Sequence, residues 1–124
     1  MKITKRQFKI FKKEARKWLK YFGMKDWSVY FEQKELEESR AQCIFNCVGG
    51  IATLSLAKSW NEISDKFVTD KIIQRTAFHE VCELLLARLN DMVSQRFNLN
   101  EGDVEEEIHR IIRILENSVW EGIF

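Results

Sequence analysis

The chain has 124 residues, 45% of them apolar and 31% charged, with no proline; a chain of that length buries roughly two-thirds of the surface its unfolded form exposes, enough for one domain without disulfide staples. Twenty basic against nineteen acidic side chains leave a formal charge of +1, so overall charge points to no polyanionic partner. No apolar run approaches the roughly 20 residues of a membrane span, the N-terminal stretch lacks the apolar core of a secretory signal, and the odd set Cys43, Cys47 and Cys82 fits free thiols in a reducing, cytoplasmic compartment.

Phe8, Phe11, Ala15, Trp18, Leu19 and Phe22 recur at helical spacing, which predicts an amphipathic helix over about 4–22. Thr4 is placed to cap its start and Gly23 to stop it. Trp27, Val29 and Phe31 alternate with polar neighbours as a half-buried strand should. The polar stretch 34–39 reads as a turn, 41–48 as a second strand, and Gly49-Gly50 as a hairpin leading into a third over 51–57. Residues 60–66 form a polar loop between the anchoring aromatics Trp60 and Phe67.

Thr69 can cap a long helix to about Phe97, apolar on nearly every side near its middle and therefore expected to be the central, buried one. A break at 98–102 precedes a last helix whose apolar stripe is Val104, Ile108, Ile111, Ile112, Leu115 and Val119. The expected fold is α+β, in the order α-β-β-β-α-α, with a small, mainly antiparallel sheet packed against helices as one domain over 1–124. Charge is uneven along it: residues 1–25 are basic with Glu14 as their only acid, whereas 101–124 are rich in Glu and Asp.

The residues with chemistry in them are His79-Glu80-Val81-Cys82-Glu83. Positions 79 and 83 stack on one face of consecutive helical turns, where an imidazole and a carboxylate can hold one divalent ion. Glu80 is rotated roughly 100° away, placed for a water rather than for the ion. That is the logic of H-E-x-x-H, with the intervening acid as general base, except that Glu83 stands where the second His belongs and makes the motif H-E-x-x-E. A third ligand must come from elsewhere. The last helix offers His109, which would complete a His₂Glu set for Zn²⁺, or Glu105, Glu106 and Glu107.

Each of these residues also has a plain reading. His79 and Glu83 can satisfy each other as a buried pair, His109 can pair with Glu105 in solvent, and Glu105 to Glu107 suit a helix N-terminus on charge alone. The cysteines read as small core residues. Lys5, Lys9, Lys12, Arg16 and Lys20 form a basic stripe on the first helix, which is either a solvated face or a track for the phosphates of a nucleic acid.

The element order, the strand opening Trp27-Ser28-Val29-Tyr30-Phe31, and Ala77-Phe78-His79-Glu80 running into Leu84-Leu85-Leu86 resemble a minimal zincin domain, most closely the small phage metallopeptidases related to SprT-like proteases. The segment from Glu105 to Arg110, with Leu115-Glu116-Asn117, is similar to the closing helix of those proteins. The resemblance matches His79 and Glu80 residue by residue, Glu83 not at all, and His109 only in approximate place. It implies zinc-dependent hydrolysis of an extended peptide or protein lying along an edge strand. It equally allows a metal-free member kept as a binding module, such as a phage accessory or host-directed protein acting in the host cytoplasm.

Overall fold

The computed structural model describes residues 2–60, 68–95 and 100–123. Helix α1 (Lys5–Tyr21) begins in a capping box: Gln7 N donates to Thr4 Oγ1 at 3.1 Å, and Thr4 N donates to Gln7 Oε1 at 2.8 Å. Two otherwise orphaned donors are thereby satisfied. The helix stops at Gly23, which has a φ of 64°, the left-handed geometry glycine adopts without steric cost.

Strands β1 (Ser28–Lys34), β2 (Ala41–Asn46) and β3 (Ile51–Ala57) form one sheet in the order β1-β3-β2. Gly50, also at φ 64°, makes the expected tight turn between β2 and β3. The sheet is mixed rather than mainly antiparallel: β2 pairs with β3 antiparallel, while β1 pairs with β3 parallel. The hairpin occupies one edge of β3, so β1 takes the other and β2 crosses past it. Alternation of apolar residues reports which face a side chain takes and carries no information about which neighbour the strand takes, so this correction lay beyond the pattern.

Register aligns Phe31, Leu54 and Cys43 in one row across the sheet, with Val29, Ala52 and Phe45 in the next on the same face. The helices cover that face. Phe11 of α1, fully buried, meets Phe31 edge-on with centroids 6.5 Å apart. The opposite face leaves Tyr30 and Ile44 exposed. The result is a two-layer α+β arrangement whose core includes Phe11, Ala15, Leu54, Leu56, Ile73, Ala77, Val81 and Leu84.

The long helix is broken. α2 (Asp70–Leu85), capped by the Thr69 hydroxyl, ends at Leu86, whose φ and ψ of −96° and 3° leave the helical region, and α3 (Ala87–Ser94) follows. Apolar spacing continues through Leu84, Leu85, Leu86 and Leu89, so periodicity alone could not mark the break. The anchoring Trp60 is 2% exposed, as expected; the loop after it and the Phe67 anchor fall outside the described residues, as do the end of the long helix and the start of the break before α4. α2 is also less buried than its composition suggests. Ile73, Ala77, Val81 and Leu84 face the core and Trp18 of α1 packs on Phe78 at 4.7 Å, but one side of the helix faces solvent.

Helix α4 (Glu101–Leu115) starts at Asn100, whose side chain accepts from Gly102 N at 2.8 Å. It runs into a π-helical turn (Glu116–Trp120) and a final turn, α5 (Glu121–Ile123). Tyr21 Oη donates to the Ser118 carbonyl at 2.8 Å, tying the basic end of the chain to the acidic one. The face that α4 turns inward carries Glu107 and Ile111, with Ser118 beyond. Most of its expected apolar stripe points outward: Ile108, Ile112, Leu115 and Val119 are each about two-fifths exposed.

Candidate metal centre

Three consecutive turns of α2 build the site. Ile73, Ala77 and Val81 fix the helix on the core, which sets the rotation of every other residue on it. His79 and Glu83 fall on the solvent side, their side chains 70% and 51% exposed, with His79 Nε2 3.4 Å from Glu83 Oε1. The reading of His79 and Glu83 as a buried pair on a central, buried helix is therefore corrected, because the helix has an open face. Glu80 alone turns inward, at 4% exposure, and its Oε2 has no hydrogen-bond partner among the described residues.

One ligand atom from each of His79, Glu80 and Glu83 lies within 4.8 Å of the others. Among the described residues this is the grouping of His, Cys, Asp and Glu tight enough to surround an ion. Burial, then the neighbouring charge of Glu83, pushes the Glu80 carboxyl up to about 7, with His79 pulling the other way. Across the interface on β2, the Cys43 thiol is pushed up to about 12 by burial and by the charges of Glu80 and Glu83. Cys43 is thus a neutral half-buried thiol facing the acidic pair, and no cysteine joins the ligand group.

His109 is not brought to this site. It stays in solvent on α4, with Nδ1 against the Glu105 carbonyl at 2.8 Å, one turn back on its own helix. Glu105 and Glu106 are likewise exposed, and Glu107 is buried in an ion pair with Arg110 at 3.0 Å. The third group in the cluster is Glu80 of the same helix, the acid placed for a water, and no group of α4 joins it among the described residues.

The donors fit a divalent cation in chemistry: the His79 imidazole and the Glu83 carboxylate can hold the ion, and the Glu80 carboxyl, with a buried oxygen that has no described donor, lies close enough to face a water beside it. With one histidine in place of two, selectivity for zinc over harder divalent ions is reduced.

A groove of about 560 Å³ opens beside the cluster, lined by His79, Glu80, Thr76, Arg75 and Ile72 of α2 and by Ser39, Arg40 and Ala41 at the start of β2. Arg75 and Thr76 lie one turn before His79, so helical spacing was enough to place them on this face. Arg40 comes from the far side of the groove through the sheet register, which no local pattern encodes.

The basic stripe of α1 is largely solvent-facing, with Lys5, Lys9, Arg16 and Lys20 exposed. Lys12 and Arg16 also lie over the rings of Phe8 and Phe31, at 4.8 and 5.0 Å from their centroids. Among the described residues no helix is long and apolar enough to cross a membrane. Comparison with known proteins finds no matching family model, no matching curated protein and no matching solved structure.

Proposed function

We propose that the chain is a metal-dependent peptidase of minimal zincin type, with His79 and Glu83 as ligands to a divalent ion and Glu80 as the proton acceptor. The observation that carries this reading is the convergence of the three groups to within 4.8 Å around a buried carboxylate oxygen that no described donor satisfies. A zinc ion, when bound, supplies positive charge that polarises a carbonyl and brings water into the nucleophilic range near neutral pH. Glu80 is suited to take up a proton from water and release it to the departing amine, since its environment lifts its carboxyl to about 7, near the pH at which proton exchange is most effective.

Substrate alignment follows from the sheet. β2 is an edge strand and lies beside the groove lined by His79 and Glu80, so an extended peptide added along that edge is carried past the cluster. The three unpaired cysteines support a cytoplasmic setting, which for a phage-encoded chain is the cytoplasm of its host.

A second reading, a zincin-fold binding module without catalysis, draws on the separation of His109 from the cluster. The two readings diverge in one experiment. Purified protein loaded with zinc is incubated with a quenched fluorescent peptide mixture, alongside Glu80→Gln. Hydrolysis that Glu80→Gln loses at least about 100-fold while keeping its metal supports the peptidase; metal without turnover in the wild type supports the module. A nucleic-acid role for α1 requires salt-sensitive binding that disappears when Lys9, Lys12 and Arg16 are neutralised together, and equal binding by that variant removes it.

A further inference from the structure

We propose that the outward face of α4 and the π turn is a self-association surface, on which a second copy of this chain packs with its helix antiparallel. Ile108, Ile112, Leu115 and Val119 are 39–43% exposed and Trp120 is 58% exposed, and Ile112, Leu115, Val119 and Trp120 line one shallow depression of about 430 Å³ with Glu116. Steps of four, three and four residues keep the four aliphatic positions on one seam, the spacing by which two helices interlock. The π turn at Glu116–Trp120 winds more loosely than an α-helix, which holds Val119 above Leu115 instead of letting it drift around the axis.

The occupant is inferred from the order of those steps. Four-three-four reads the same in both directions, so a two-fold axis crossing between Ile112 and Leu115 sets Ile108 against the Val119 of the second copy and Ile112 against its Leu115. Every aliphatic side chain on the seam then has an aliphatic counterpart, as an isologous interface requires. His109 and Glu116 border the seam on one side, and the same axis places them at nearly the same height on opposing helices, so the rim is complementary as well.

Area agrees with this assignment. The five exposed side chains present apolar surface on the order of 450 Å², the size of patch that marks an interaction site and enough to form the apolar centre of a standard interface of about 800 Å² per partner. The seam shares no residue with the His79 cluster on α2, so the proposal is independent of the peptidase reading.

Sedimentation velocity tests it directly on the full chain. A mass of about twice the 14.8 kDa monomer is expected at micromolar concentration, and Leu115→Glu should weaken association at least tenfold while circular dichroism stays unchanged, because Leu115 is exposed. Orientation is read by cross-linking. Ile108→Cys and Val119→Cys chains should form an oxidised dimer when mixed and far less when each is kept alone, since like positions stand roughly 15 Å apart in an antiparallel pair. The wild type, with its own three cysteines, sets the background. A wild type that stays monomeric at 100-fold higher concentration overturns the proposal, whether the face then binds lipid vesicles, another protein or nothing. Cross-linking as strong in the separate samples as in the mixture overturns the antiparallel packing.

Discussion

His79 Nε2 lies 3.4 Å from Glu83 Oε1 on the open side of α2, while Glu80, between them in sequence, buries an oxygen that no described donor reaches. Neither half of this arrangement is economical for stability alone. An exposed i,i+4 pair contributes a few tenths of a kcal/mol at most, and a buried carboxylate without a partner costs more than that. A cation held by His79 and Glu83, with Glu80 facing a water beside it, would reconcile them.

The cost of Glu80 is measurable through pH. Its carboxyl sits at about 7 in the fold against an ordinary 4.5, so the unfolded chain releases this proton first as pH rises. The stability held by the neutral acid is present below pH 4.5 and is lost as pH climbs through 7. In metal-stripped protein, Glu80→Gln should therefore exceed the wild type in urea unfolding at pH 8 by on the order of 2 kcal/mol, with the difference closing below pH 5. A difference that does not vary with pH would contradict the placement of this carboxyl. The charges facing it are Glu83 and His79 on its own helix, with the neutral thiol of Cys43 opposite.

Cys43 gives a second, chemical readout of the same interface. Pushed up to about 12 by burial and by Glu80 and Glu83, it carries almost no thiolate at pH 8. Alkylation by iodoacetamide, followed by mass spectrometry, should be at least about 100-fold slower at Cys43 than at a free cysteine and should become ordinary in urea. Rapid labelling of Cys43 in the native protein would show that β2 does not lie against α2 as described.

Gly50 and Gly23 separate two effects that glycine usually combines. Both have φ at 64°, but a Cβ on Gly50 would stand 2.9 Å from the Asp26 carbonyl oxygen, whereas Gly23 opens on empty space. Ser28 N also donates to the Gly50 carbonyl at 2.7 Å, joining the hairpin to the start of β1. Gly23→Ala should cost about 1 kcal/mol from backbone strain alone, and Gly50→Ala roughly 2–3 kcal/mol, by urea denaturation. Equal costs would mean that the Asp26 contact gives way.

Much of this arrangement was legible in the residues, for identifiable reasons. Thr4, Thr69, Gly23 and the Gly49-Gly50 pair act through bonds and angles a few residues long, and each does what its chemistry suggests. The pairing of His79 with Glu83 follows from one helical turn. What escaped the sequence is long-range. The parallel partner of β1 is settled by which edge of β3 the hairpin leaves free. The open side of α2 is settled by how much of it α1 and the sheet cover, and the distance of His109 from the site by how α4 lies in the fold. The apolar stripe of α4 was visible, but its spacing could not say whether it faced inward.

Metal content decides the account. Protein purified without a metal-binding tag, given zinc and then dialysed, should retain close to one equivalent by mass spectrometry, His79→Ala and Glu83→Ala should each lose it, and His109→Ala should retain it. Zinc that persists in both the His79→Ala and Glu83→Ala proteins, or that never binds the wild type, would contradict a metal centre on α2.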